Sequence, residues 1–211
     1  MIVKTLCRAL AAATLLAAAA ADAAPIQFSF SGAVTDDAIN GCGSLVACGT
    51  VTGSFSFDSL AADGNAVANL GLYVASAISF SIDGTEFFSA MNGVINVAND
   101  IPQDQYGLFA TGTAGATDAE LSILLEDSTG FAFGTDALPL SPAALAGLLP
   151  GGFTLFGADS DGNDIFQLQG SIDSITCTSG CEGGPVPEPA STLLLAAGLA
   201  ALRLSRRHAR T

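Results

Sequence analysis

Tryptophan is absent from the sequence, and no lysine, arginine or histidine occurs between Ala24 and Pro187. Lys4, Arg8, Arg203, Arg206, Arg207, Arg210 and His208 all lie in the two terminal segments. Asp22 and Glu188 fall there too, so 18 of the 20 acidic residues belong to the central body, which has a formal charge of −18 and no means of forming an ion pair. Phosphate recognition depends on Lys and Arg. Nucleic acid is therefore excluded as a partner, and anionic lipid is disfavoured. A Ser or Cys nucleophile needs a neighbouring base with a pKa near neutrality, and the body has neither His nor Lys to supply one. A glycosidase needs only two carboxylates. Sugar subsites also stack rings on aromatics, and here the tyrosines are only Tyr73 and Tyr106 while the phenylalanines mostly alternate into apolar faces. The body reads as non-enzymatic.

The two ends have their own logic. Lys4 and Arg8 precede the apolar stretch 9–21, and small residues follow, which is the pattern of a secretory signal peptide over residues 1–23 with cleavage after Ala23. Signal peptidase and the export machinery are then partners, and Cys7 leaves with the peptide. Four cysteines remain, in "GCGSLVACG" (Cys42, Cys48) and "TCTSGCEGG" (Cys177, Cys181). An even number in an exported chain points to disulfides. Two local loops, Cys42–Cys48 and Cys177–Cys181, are the favoured pairing; the alternative staples the first hairpin region to the last strand. Neither pair has the C-x2-C spacing of a zinc site.

The body itself reads as strands. Ile26, Phe28, Phe30 and Val34 alternate, as do Val51, Phe55 and Phe57, then Ile78, Phe80 and Ile82, then Leu121, Ile123 and Leu125. Further strands are expected at "TEFFSA", "GVINVA", "YGLFATGT", "GFTLFG" and "DIFQLQGSIDSI". Turn residues separate them, in "ADGN", "IDGT", "DSTG" and "DSDGND". This pattern predicts an all-β antiparallel sandwich or jelly roll over residues 24–180. One short helix interrupts it at "LSPAALAGLLPGG", with Ser141 as N-cap, Pro142 at the first position and Gly151 beyond the end.

One loop concentrates oxygen ligands. Asp159, Asp161, Asn163 and Asp164 in "ADSDGNDIF" suit Ca²⁺, a hard cation that takes six to eight oxygens. The loop is not an EF-hand, because its glycine and final carboxylate are misplaced. The alternative is a hairpin turn in which Asp and Asn cap their own backbone. Asp36 and Asp37 make a weaker cluster, and Glu126 with Asp127 reads as a strand end and turn.

A Gly/Pro-rich linker at 181–186 leads into "VPEPASTLLLAAGLAALRLSRR". The apolar run 190–202 is short against the roughly twenty residues needed to span a bilayer, and the arginines after it mark a cytoplasmic side, so the body faces outward. The triplet Pro187, Glu188, Pro189 with the run and basic end resembles the PEP-CTERM sorting signal of Gram-negative bacteria, which occupies 187–211 here. That resemblance implies recognition by an exosortase through Pro187, Glu188 and Pro189. It further implies an inner-membrane intermediate, delivery to the cell surface or extracellular matrix, and an association with exopolysaccharide or biofilm. The alternative function is a Ca²⁺-dependent carbohydrate-binding module.

Overall fold

Residues that alternate in phase must share one face of a strand, and a chain of such strands buries that face only by folding the sheet over itself. A computed structural model of the chain describes residues 25–37, 49–100 and 103–181, within a compact unit spanning Ala24–Glu182. Eight strands form: β1 (Pro25–Asp37), β2 (Thr50–Asp58), β3 (Leu70–Ile82), β4 (Thr85–Ala98), β5 (Asp104–Ala114), β6 (Thr117–Asp127), β7 (Gly151–Ala158) and β8 (Asp164–Ser179). Each pairs antiparallel with its sequence neighbours, and β8 returns to pair with β1, from Gln27↔Ser179 to Asp37↔Leu168.

The result is a closed up-and-down barrel, which corrects the expected sandwich or jelly roll. Those folds need connections that cross between sheets. Here tight turns keep consecutive strands adjacent: Asp83 (φ 49°) and Gly84 (φ 78°) join β3 to β4 with both residues at positive φ, as the type I′ form of a two-residue hairpin requires. "TEFFSA" and "GVINVA" are likewise not two strands but the two halves of β4.

The expected phases hold. Ile26, Phe28, Phe30, Val34, Val51, Phe55, Phe57, Ile78, Phe80, Ile82, Leu121, Ile123 and Leu125 are all buried. An eight-stranded barrel is just wide enough for its inward side chains to fill it, and aromatics do so here. Phe28 packs edge-on against both Phe55 (5.6 Å) and Phe57 (5.2 Å). Gly53 makes room for Phe30: the two pair directly, and a Cβ at Gly53 would collide with the Phe30 ring.

Outward positions carry hydroxyls in place of the charge pairs that the composition forbids. Ser29 bonds Thr176 (2.8 Å), Ser31 bonds Ser174 (2.7 Å), Ser54 bonds Ser79 (3.0 Å) and Ser56 bonds Ser76 (3.0 Å), each across neighbouring strands. An apolar interior under a hydroxylated exterior is the reverse of a lipid-embedded barrel. No helix among the described residues is long and apolar enough to cross a membrane.

The predicted helix is present as a 3-10 helix, Pro142–Leu148, and not an α-helix. Ser141 caps it as expected, its hydroxyl accepting from the Ala143 N–H at 3.3 Å. Leu145 and Leu148 are buried against the barrel, and seven residues with a proline at each edge leave little length for α-helical bonding.

Candidate functional site

The pairings sort the connections into two ends. Pro25↔Asp58, Gln27↔Ser179, Leu70↔Ala98 and Asp104↔Asp127 put the start of β1 and the end of β8 at the same end as the β2–β3, β4–β5 and β6–β7 connections. This is the exit end, where the described chain leaves the barrel at Cys181. The far end carries the turns at 83–84, 115–116 and 159–163.

The exit is stapled. Cys177 and Cys181 form a disulfide with Cα atoms 6.1 Å apart, one of the two favoured local loops. Cys42 and Cys48 lie outside the described residues, as do the signal peptide and the motif Pro187, Glu188 and Pro189.

The exit end is also braced from within. Asp104, fully buried at the start of β5, accepts from the Phe133 N–H (2.7 Å) and the Asp100 N–H (3.0 Å), tying the long β6–β7 connection to the barrel rim. With its amide oriented to satisfy both neighbours, Asn99 donates to the Phe133 carbonyl (3.1 Å) and to Asp104 Oδ1 (3.3 Å). Sequence reasoning missed this clamp. An aspartate ahead of a strand looks like a turn residue, and only the fold shows that its phase points inward with Tyr106 and Leu108.

At the far end the structure gathers Asp159 and Asn163 but arranges them around the backbone. Asp159 Oδ1 accepts from the N–H groups of Asp161 (2.9 Å) and Asn163 (2.9 Å), and the Asn163 amide reaches both carboxylate oxygens. Hydrogen bonding from the Asn163 N–H, then from its side chain, lowers the Asp159 pKa from its ordinary value. The Asp161 and Asp164 carboxylates take no part in this cluster. Among the described residues, no group of three or more Asp, Glu, His or Cys side chains is placed to hold a metal ion. Asp127 behaves like Asp159: the Thr129 hydroxyl and the Thr129 and Phe131 N–H groups bond it and lower its pKa.

On the outer wall, the ladder between β4 and β5 breaks between Ser89↔Thr113 and Val94↔Phe109. A groove of about 540 Å³ lies beside this break, lined by Asn92, Val94, Phe109, Glu120, Thr154 and Phe156 among others. A second groove of about 600 Å³ continues past Asn92 and Thr111 toward Glu86 and Met91. Sequence reading assigned most of the phenylalanines to the core; Phe109, out of phase with Leu108, stands on the outer wall.

No curated protein and no solved structure matches the chain. A family model does match its residues 185–207, the PEP-CTERM protein-sorting motif. That match begins four residues after the disulfide-stapled end of the barrel unit at Cys181, and it agrees with the Pro-Glu-Pro, apolar and basic pattern. The protein is a β-barrel that carries a PEP-CTERM sorting motif, the mark of a substrate sorted by an exosortase to the cell surface.

Proposed function

We propose that the protein is a non-enzymatic component of the cell surface or extracellular matrix of a Gram-negative bacterium. It passes through an inner-membrane intermediate held by the run 190–202 and ends in contact with exopolysaccharide. The observation that carries this reading is the sorting motif joined by a short linker to a stapled barrel. The absence of Lys and His from the body supports the non-enzymatic part, because a Ser or Cys nucleophile has no His or Lys there to take its proton.

The outer-wall grooves support the polysaccharide part. Phe109 and Phe156 offer ring faces, and Asn92, Thr111, Thr154 and Glu120 offer hydrogen-bonding groups beside them. A neutral glycan suits this lining, since the −18 body repels a polyanion. The Ca²⁺-dependent reading has less support, because the Asp159 carboxylate is already engaged by its own loop.

Intact mass of surface-derived protein tests the sorting claim. Termination near Pro187–Pro189 is expected, and a chain still ending at Thr211 in cells with a working exosortase removes the reading. Co-sedimentation with purified exopolysaccharide, compared between wild type and Phe109→Ala, tests the second part.

A further inference from the structure

Among the described residues, the loops of the exit end differ from the far-end turns in what they show to solvent. Leu60 (66% exposed) and Val67 (56%) stand on the β2–β3 connection and Phe131 (89%) on the β6–β7 connection, all at the exit end. No large apolar side chain is exposed on the far-end turns among the described residues. Each apolar tip is also held in place by a side-chain cap on its own N–H. Asp58 Oδ1 accepts from Leu60 (2.7 Å), Asn65 Oδ1 from Val67 (3.1 Å) and Asp127 Oδ2 from Phe131 (3.2 Å). Leu72 and Val74 extend the apolar surface onto the adjoining wall of β3. These side chains give the exit end an exposed apolar rim that the described far-end turns lack.

What covers that surface follows from where the chain goes next. Eight residues separate Cys181 from Ala190, the start of the apolar run. Fully extended they reach about 30 Å, so a bilayer that holds the run lies within that reach of Cys181, and Cys181 is at the exit end. We infer that the exit end is a membrane-contacting face: Phe131, Leu60 and Val67 enter the interface of a zwitterionic bilayer while the protein is held there. The lipid is zwitterionic because Asp58, Asp63 and Asp127 share this end and no basic residue lies in the body to meet an anionic headgroup. A second copy of the chain is the weaker occupant, since two acidic exit ends would have to approach each other. The inference rests on the sorting reading only for the anchoring of the run 190–202.

The lack of tryptophan makes the test direct. Full-length chains carrying Phe131→Trp, Leu60→Trp or, on the far-end turn, Ala116→Trp are mixed with phosphatidylcholine vesicles, with and without brominated acyl chains, after thermal melting confirms that each is folded. Flotation reports anchoring, and emission reports the loops. The expected result is a blue shift and loss of emission in brominated vesicles for Phe131→Trp and Leu60→Trp, with neither for Ala116→Trp. Chains that float while all three reporters emit alike overturn the membrane face and leave anchoring intact. A blue shift that rises with protein concentration and ignores bromine assigns the surface to a second copy and also overturns it. Chains that fail to float overturn the anchoring, and the membrane face with it.

Discussion

Phe80 of β3 and Phe153 of β7 meet across the barrel with ring centroids 5.0 Å apart and planes inclined by 61°, although their strands are not neighbours in the sheet. Edge-on aromatic packing of this kind adds to the area each ring buries. The contact joins opposite walls, so it reports on closure itself.

Truncating either ring should therefore be severe. Phe80→Ala and Phe153→Ala are each expected to lose about 3–5 kcal/mol in denaturant unfolding, from lost transfer energy and the cavity left behind. The double variant should lose less than the sum, because the two singles remove the same contact. Strict additivity would show that the walls are stabilised independently.

The two tyrosines should respond in opposite directions to loss of their hydroxyls. The Tyr73 hydroxyl donates to the Asp136 carbonyl at 3.0 Å, and burial raises its pKa. The Tyr106 hydroxyl is fully buried without a hydrogen-bond partner among the described residues, and burial pushes its pKa far above the ordinary phenol value. Tyr73→Phe should cost about 1 kcal/mol, whereas Tyr106→Phe should be neutral or stabilising, since it removes an unsatisfied buried group. Chemical denaturation of both variants decides it, and equal destabilisation would mean that Tyr106 has a hidden partner.

Thiol blocking before and after reduction should reveal a protected Cys177–Cys181 pair in exported protein. The loop is short, so on the entropy model replacing both cysteines by serine should lower stability by about 2 kcal/mol. An unchanged melting midpoint would show that the staple restrains only the exit and not the barrel.

Asp127 and Asp159 both have folded-state pKa values below the ordinary 3.8, held down by hydrogen bonds that stabilise the carboxylate. For a depressed carboxylate, stability is present above the unfolded value and is lost as pH falls through the folded one. Stability should thus decline in the acid range below 3.8, and Asp127→Asn should flatten part of that decline. Midpoints of denaturant unfolding against pH measure it; a profile identical to wild type would dissociate the Thr129 cap from folding.

The crowding of carboxylates should make the fold respond to salt, and the Asp159 turn sets what kind of response to expect. With Asp159 occupied by its own loop, Ca²⁺ and Mg²⁺ at matched ionic strength should raise the melting midpoint equally by screening. Asp161→Ala should leave both shifts unchanged. A larger rise in Ca²⁺ that the substitution abolishes would instead reveal a bound ion.

Much of this was legible in the residues because it is local. Strand phase follows from period-two alternation, so Phe28, Phe55, Ile123 and Leu125 could be assigned inward without knowing their partners. The Asp83–Gly84 hairpin, the Ser141 cap and the Asp159 self-capped turn are decided by side chains within a few residues of the backbone they serve. The missing cations settled which pairings the surface could not use, and the Pro-Glu-Pro tail declared the sorting motif. Closure was left to the tertiary structure, because an alternating strand buries one face equally well in a sandwich or in a barrel, and only the β1–β8 ladder distinguishes them. The same long-range pairing placed Phe153 against Phe80, turned Asp104 inward, separated the fates of Tyr73 and Tyr106, and brought Leu60, Val67 and Phe131 to the end where the chain departs. Those outcomes depend on which strands become neighbours around the barrel, and periodicity along one strand carries no record of that.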